Sequence, residues 1–259
     1  MFLFEQEISR ANRNFICVSF DLQKLLNTPQ EQNMNLYYSR KYSMFNLTIY
    51  ESGSHNALAY LWGETTGARS CNKIVTCVYK YLLDLDEKGI YKSVYFFCDS
   101  FSGQNKNRAM LAMIHSTHFE FIEEIKITFL LPGHTYMPVD SIHATIERFV
   151  KNKTVWALSE WSTLITNARI KPLPIVVKNL QYSDFIDWKK LAAQFFTQVL
   201  KTTDEEVVHI TKVKSFLFTK PLDGLHEIHV FFTYKSEENP KILKLKKNKK
   251  KYCRIITVL

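Results

Sequence analysis

Short apolar runs separated by polar turns recur along the first half of the chain. The segment 37–52 alternates between apolar and polar residues, and the run NALAYLW follows the turn ESGSH, so the two predict a hairpin. We expect this hairpin beside the first strand. Three other runs are continuously apolar, which is typical of buried strands: FICVSF at 15–20, KSVYFFC at 92–98 and KITFLL at 126–131.

Segments with helical spacing of apolar residues lie between and after these strands. Ser70 can cap a helix that runs to about Asp84, and Gly89 follows its end. Further helices are predicted over 104–118 and from about 140 to 151. The order strand, hairpin, helix, strand, helix, strand, helix predicts an α/β fold. In that fold a mixed sheet carries helices on both faces.

The pattern changes at about residue 155. Two amphipathic helices near 159–169 and 184–200 precede the strand-like segments 215–219 and 228–234, which predict another hairpin. This last part is either a subdomain or a flap against the core. We therefore expect three segments: a leader helix at 1–14, a core at 15–155, and a C-terminal α+β extension with a basic tail at 156–259.

Composition indicates a packed protein in a reducing compartment. Hydrophobic residues make up 46% of the chain and aromatic residues 14%, which supplies a core and argues against disorder. The five cysteines are an odd number without CxxC spacing, so we expect neither disulfides nor structural zinc. No signal peptide is expected, because Glu5, Glu7 and Arg10 interrupt the start. No membrane span is expected, because no apolar stretch approaches roughly 18 residues. The abrupt start suggests a fragment of a longer protein.

The formal net charge of +9 favours a polyanionic partner such as DNA. Without the seven lysines of KILKLKKNKKK at 241–251, the remaining charge is only about +2. That run is a solvated tail, a nuclear import signal or a nucleic-acid contact, so we expect a nuclear (or cytoplasmic) protein. A homo-oligomer is compatible with the sequence. The lysines expected on nucleic acid are Lys246, Lys247, Lys249 and Lys250.

Two aspartates, Asp21 and Asp99, directly follow buried strands. Ligands gather at the carboxyl ends of strands in an α/β sheet, so we expect both carboxylates at one edge. Such carboxylates repel unless a cation lies between them, and oxygen ligands select Mg²⁺ or Mn²⁺. Two ions about 3.5–4 Å apart can activate water and stabilise the leaving oxygen in phosphodiester cleavage. The alternative is that each aspartate only caps a turn.

Asp140 and Glu147 are the two candidates for a third acidic ligand. They lie on one helix face but about 10 Å apart along the axis, so we do not expect both to bind the same ion. We favour Asp140, which lies at the helix start nearest the sheet. It could instead be only the N-cap, and Glu147 could be only a surface partner of Lys151.

Hydrogen-bond donors accompany these acids. His134, in the loop before this helix, could orient water or contact the scissile phosphate, or could hold the loop by a structural hydrogen bond. The segment SFSGQNKNR after the second strand places donors at a helix N-terminus, which suits a phosphate backbone, although simple helix capping is the alternative. Its donors include Gln104 and Asn105 as accessory residues, and Lys106 and Arg108 as nucleic-acid contacts.

The same segments carry a family resemblance. Together they resemble the transposase-like, integrase-like proteins abundant in insect and other invertebrate genomes. The resemblance covers roughly residues 15–190. Its segments are VSFDLQKLL at 18–26, LAYLWGETTGARSCNKIVTCV at 58–78, FFCDSFSGQNKNRAM at 96–110 and LLPGHTYMPVDSIHATIER at 130–148.

This resemblance implies a ribonuclease H-like fold and a DDE/D triad of Asp21, Asp99 and either Asp140 or Glu147. It implies a metal-dependent DNA endonuclease or strand-transfer core acting on transposon ends or target DNA. One departure is Lys73, where relatives often have Glu. Relatives are also usually longer, with N-terminal cysteine-bearing segments. The alternatives are a domesticated or decayed transposase fragment that binds nucleic acid or protein without catalysis, and a ribonuclease H-like nuclease of another kind.

Overall fold

A computed structural model describes residues 2–31, 40–131, 136–220, 227–234 and 239–246. Within these ranges the chain is an α/β protein with parallel and antiparallel strand pairs and six α-helices. No helix of the described ranges is long and apolar enough to cross a membrane. Two compact units are formed. Unit 1 comprises Met1–Cys17, Ser70–Thr135 and Ser183–Leu259, and unit 2 comprises Val18–Arg69 and Tyr136–Tyr182.

The helices and strands are numbered in chain order. The helices are α1 Phe2–Ala11, α2 Cys71–Lys88, α3 Arg108–Ser116, α4 Pro138–Val150, α5 Glu160–Asn167 and α6 Trp188–Phe195. The strands are β1 Phe15–Leu22, β2 Leu26–Thr28, β3 Tyr42–Glu51, β4 Ala57–Gly63, β5 Ser93–Asp99, β6 Glu124–Leu130, β7 Val176–Asn179, β8 Ser215–Thr219, β9 Glu227–Phe231 and β10 Lys241–Ile242.

Unit 1 is built on the strand order β10-β9-β8-β6-β5. The continuously apolar strands β5 and β6 pair in parallel, and β8 pairs antiparallel with β6. β8 and β9 form the predicted hairpin, and their pairing with β6 makes that hairpin part of the sheet. The first residues of β1 also belong to this unit, where Phe15 and Cys17 pack against Phe97.

Unit 2 is built on β1, β3, β4 and β7. β1 pairs antiparallel with β3, and β3 with β4, which confirms the hairpin predicted beside the first strand. β7 adds a short parallel strand to β4. The apolar stripe of α4, including Ile142 and Ile146, packs against a sheet face that carries Ala57 and Ala59. These two small side chains leave room for the helix on that face.

Several element boundaries differ from the predictions for local reasons. α3 begins only at Arg108, because the side chain of Asn107 caps it by accepting the N–H of Met110 at 3.1 Å. α6 spans Trp188–Phe195 rather than 184–200, since the Asp187 side chain caps its start by accepting the N–H of Lys190. The predicted division of the chain at residue 155 stays a prediction.

The C-terminal part of α2 anchors the segment that leads into β6. Asp86 is buried, and its carboxylate accepts three backbone N–H groups: those of Glu120 at 2.7 Å, Phe121 at 2.8 Å and Ile122 at 2.9 Å. A carboxylate that accepts several N–H groups satisfies donors that burial would otherwise leave unpaired. Asp86 therefore fixes where β6 begins.

Replacing Asp86 with Ala is expected to lower the free energy of unfolding by about 3 kcal/mol, because three N–H groups lose their acceptor. Urea denaturation measures the loss. Asp86→Asn keeps one acceptor oxygen and is expected to lose less. The exposed neighbour Glu87→Ala is the control, with an expected change within about 0.5 kcal/mol. Equal stability of Asp86→Ala and Glu87→Ala would contradict the anchoring role.

Candidate metal centre

Three side chains of unit 2 converge beside its sheet. Asp21 comes from β1, and Asp140 and His143 come from α4. One ligand atom of each, a carboxylate oxygen or an imidazole nitrogen, lies within 4.8 Å of the others. Two ligands on opposite sides of an ion are about 4.2 Å apart when each metal–ligand bond is about 2.1 Å. The group could therefore hold a metal ion after only small side-chain adjustments.

The strand register explains why Asp21 faces α4. Asp21 lies opposite Thr48 of β3, and Thr48 lies opposite Ala59 of β4. Directly opposed residues of antiparallel strands present their side chains on the same face. Ala59 packs in one apolar cluster with Ile142 and Ile146 of α4. The face that carries Asp21 is thus the face that α4 covers.

Helix geometry brings the other two side chains together. Asp140 and His143 are three residues apart, so they are neighbours on the helix surface. Asp140 lies in the first turn, where its Oδ2 accepts the N–H of Met137 at 2.8 Å. The helix begins at Pro138, whose fixed φ suits the first helical position. Asp140 is therefore held by the helix start without being its N-cap, and its second oxygen remains available to a cation.

His143 is the most buried member of the group. It is 8% exposed, and its Nε2 has no hydrogen-bond partner within the described ranges. Burial lowers the pKa of the imidazole to about 4, so the ring is neutral near pH 7. The neutral ring is the form that binds metal ions. A buried ring nitrogen without a partner is costly, so it indicates that something else satisfies it.

Two further buried oxygens lie on this sheet face. Ser19 precedes Asp21 by two residues and so shares its face of β1, and Thr48 lies opposite Asp21. Neither Ser19 Oγ nor Thr48 Oγ1 has a hydrogen-bond partner in the described part of the chain. Buried polar atoms normally have partners, in protein, water or ion. Their concentration around Asp21 favours a site that takes up an ion with its water.

Gln23 ties β1 to the helix that carries the other ligands. Its side chain accepts a hydrogen bond from Asn46 Nδ2 at 2.8 Å, and its backbone N–H donates to the Asn46 carbonyl at 2.9 Å. Its Nε2 donates to the His143 carbonyl at 3.4 Å and lies 3.5 Å from Glu147 Oε1. Gln23 is 2% exposed, so these contacts are shielded from water. They help to set the spacing between Asp21 and α4.

Among the predicted ligands, Asp21 and Asp140 come together and Glu147 lies outside their group. Glu147 is exposed, and its carboxylate lies near Gln23 instead. The geometry thus favours Asp140 as the acidic ligand from α4. His143 was missed by the sequence reasoning. The only signal that could have indicated it is its spacing of three residues from Asp140 in PVDSIH.

Asp99 ends β5 in unit 1. Its Oδ1 accepts hydrogen bonds from Asn105 Nδ2 at 2.7 Å and from the Phe101 N–H at 3.1 Å. This is the turn-capping role that the sequence left open as an alternative. A contribution of Asp99 to metal binding beside Asp21 stays a prediction, as does a second ion.

The predicted phosphate donors of unit 1 make internal contacts. Lys106 is 4% exposed, and its Nζ donates to the Thr211 carbonyl at 2.9 Å. Gln104 and Asn105 are also buried, and Arg108 donates to the Gln198 carbonyl. In this arrangement Lys106 is not presented to a phosphate, because tertiary packing covers it. Lys246 donates to the Ala193 carbonyl at 2.7 Å, whereas His134, Lys247, Lys249 and Lys250 lie outside the described residues.

Comparison with known proteins places most of the chain in one family. The model of a domain of unknown function (DUF7869) matches residues 48–251. The chain belongs to this family. No curated protein matches it. The DUF7869 match includes Asp140 and His143 on α4 and begins after Asp21.

Replacing Gln23 with Met, which has similar volume but no amide, is expected to lower the free energy of unfolding by about 1–3 kcal/mol. The reason is that Asn46 and the His143 carbonyl lose a buried partner. Urea denaturation measures this change. The exposed neighbour Lys24→Met is the control. If both variants unfold at the same urea concentration as the wild type, Gln23 does not tie the strand to the helix.

The burial of Lys106 is expected to make the free energy of unfolding depend on pH. Burial, with a smaller effect of nearby Lys214, lowers its pKa to about 8, whereas an unfolded lysine titrates near about 10.4. Between these values the unfolded state binds more protons, so raising the pH stabilises the folded state. The unfolding free energy of the wild type should therefore rise from pH 8 to 10 relative to Lys106→Met. Exposed Lys190→Met controls for the lost charge. If the unfolding free energies of the wild type and Lys106→Met differ by the same amount at pH 8 and pH 10, the prediction is wrong.

Proposed function

We propose that this DUF7869 protein is a transposase-derived, divalent-metal-dependent nuclease or strand-transfer core that acts on DNA. The observation that carries the proposal is the convergence of Asp21, Asp140 and His143 beside the sheet of unit 2. Two of these three residues were selected from the sequence because of their place at the end of a strand and the start of a helix.

The order of elements supports a ribonuclease H-like fold as part of this proposal. Apart from the short β2, β1 is followed by the antiparallel pair β3 and β4, then α2, β5, α3 and β6, with β5 and β6 parallel, and then α4. This is the order that the sequence pattern and the family resemblance predict. Asp21 near the end of β1 and Asp140 in the first turn of α4 are two of the acidic residues that the resemblance implies, and their convergence supports the proposal.

The chemistry follows from the donor set. A divalent ion held here would supply positive charge to a phosphate and lower the pKa of a coordinated water. Asp21 and Asp140 supply the negative charge that attracts the cation, and His143 supplies a neutral nitrogen. Gln23 keeps strand and helix at a fixed spacing.

The charge of the chain supports DNA as the substrate. The net charge of +9 favours a polyanion, and much of it lies in the lysine run 241–251. The same run supports a nuclear location, as an import signal. Membership in the family carries no further information about the substrate, because the family is itself described as one of unknown function.

A second candidate is a domesticated transposase fragment that binds nucleic acid or protein without cleaving it. The feature that favours it is Lys73, which stands where the family resemblance described above implies Glu. Lys73 is buried with its Nζ 3.6 Å from the ring centre of Phe185, and burial lowers its pKa. A lysine at this position cannot supply the carboxylate that a metal site would use.

A cleavage assay on plasmid DNA with Mg²⁺ or Mn²⁺ tests the leading proposal. Asp21→Asn and Asp140→Asn are each expected to reduce cleavage at least about 100-fold, since each loses a direct ligand while the fold is retained. Glu147→Gln, on the same helix but outside the group, is the matched control and is expected to keep its activity. DNA binding without cleavage by the wild type would favour the second candidate.

A further inference from the structure

We propose that His143 makes this centre selective for a divalent transition-metal ion, such as Mn²⁺, over Mg²⁺. The inference rests on the metal site of the proposed function and adds the class of ion.

The donor set is the first argument. Two carboxylate oxygens and one imidazole nitrogen approach within 4.8 Å of one another. Mg²⁺ is a hard ion that takes oxygen ligands and keeps several waters. Imidazole suits transition metals, and Mn²⁺ also accepts carboxylates readily. A set of two oxygen ligands and one nitrogen ligand therefore suits Mn²⁺ better than Mg²⁺.

The state of His143 is the second argument. A histidine that merely fills a core normally bonds its ring nitrogens to neighbouring groups. Here Nε2 is buried without such a partner among the residues described, although one ring nitrogen lies within 4.8 Å of an oxygen of each carboxylate. The backbone is held as well, since the His143 carbonyl accepts from Gln23 at 3.4 Å. The side chain is thus positioned for a partner that the protein does not supply.

The surrounding face is the third argument. Ser19 and Thr48 place two more buried, unpaired hydroxyl groups beside Asp21. Hydroxyls can bond the waters of a hydrated ion, so they complete the surroundings of a centre with few protein ligands. Apolar packing by Ala59 and Ile142 covers the same face. The centre therefore combines polar atoms of both strand and helix with apolar packing around them.

The test measures ion binding on the full chain, independently of cleavage. Electron spin echo spectroscopy of bound Mn²⁺ is expected to show coupling to an imidazole nitrogen in the wild type. Competition between Mn²⁺ and Mg²⁺ is expected to favour Mn²⁺ at least about tenfold. His143→Gln should remove the nitrogen coupling and weaken Mn²⁺ binding at least about tenfold, and His143→Asp should shift the preference toward Mg²⁺.

The control is His115→Gln, which changes another buried histidine in unit 1 and should leave nitrogen coupling and ion preference unchanged. Absence of nitrogen coupling in the wild type overturns the inference even if no His143 variant folds. Nitrogen coupling without DNA cleavage supports it and defeats the proposed nuclease. If Mg²⁺ and Mn²⁺ support cleavage equally, and His143→Gln cleaves DNA as well as the wild type does, the inference is overturned. The nuclease proposal then still stands.

Discussion

The placement of α4 on the sheet of unit 2 is the constraint on which the candidate centre depends. Asp21 and Asp140 are far apart in sequence, so only tertiary packing can bring their carboxylates together. Ala57 and Ala59 allow the helix close to the strands, and Ile142 and Ile146 fill the space. Gln23 adds a polar contact at the end of this interface. Apolar packing thus fixes the height of the helix, and the amide contact helps to fix its position along the strand.

This arrangement has an energetic consequence for the protein without an ion. Two neighbouring carboxylates repel, and a buried imidazole nitrogen and two buried hydroxyls lack partners in the described part of the chain. A buried polar atom without a partner costs free energy in the folded state. The apolar cluster that joins α4 and α5 to the strands offsets this cost, with Trp161 and Ile165 fully buried beside Ile146. A cation would remove the repulsion and satisfy the nitrogen, so binding and stability are coupled here.

Much of the fold could be predicted because its main strands are continuous apolar runs. β8 matches its predicted segment, and β5 and β6 differ by one or two residues. The strands β2, β7 and β10 were missed, since two to four residues carry no periodicity. Asp21 and Asp140 were accessible to strand-end and helix-start arguments. His143 was not, because a histidine on the apolar side of a helix looks like core until its unpaired nitrogen is seen. Lys106 is the opposite case: a lysine in a polar segment was expected at the surface, but tertiary packing buries it.

The chain passes between the two units four times, and this affects how the protein can be divided. A fragment spanning 18–182 would contain all of unit 2, but also the middle stretch of unit 1 without β8 and β9. β6 would then present an unpaired edge with Ile127 and Phe129, a template for association with other chains. Truncation at that point would therefore favour aggregation over a soluble half-protein. Pieces of this protein suitable for separate expression must be designed around the strand order, with the C-terminal hairpin retained or replaced.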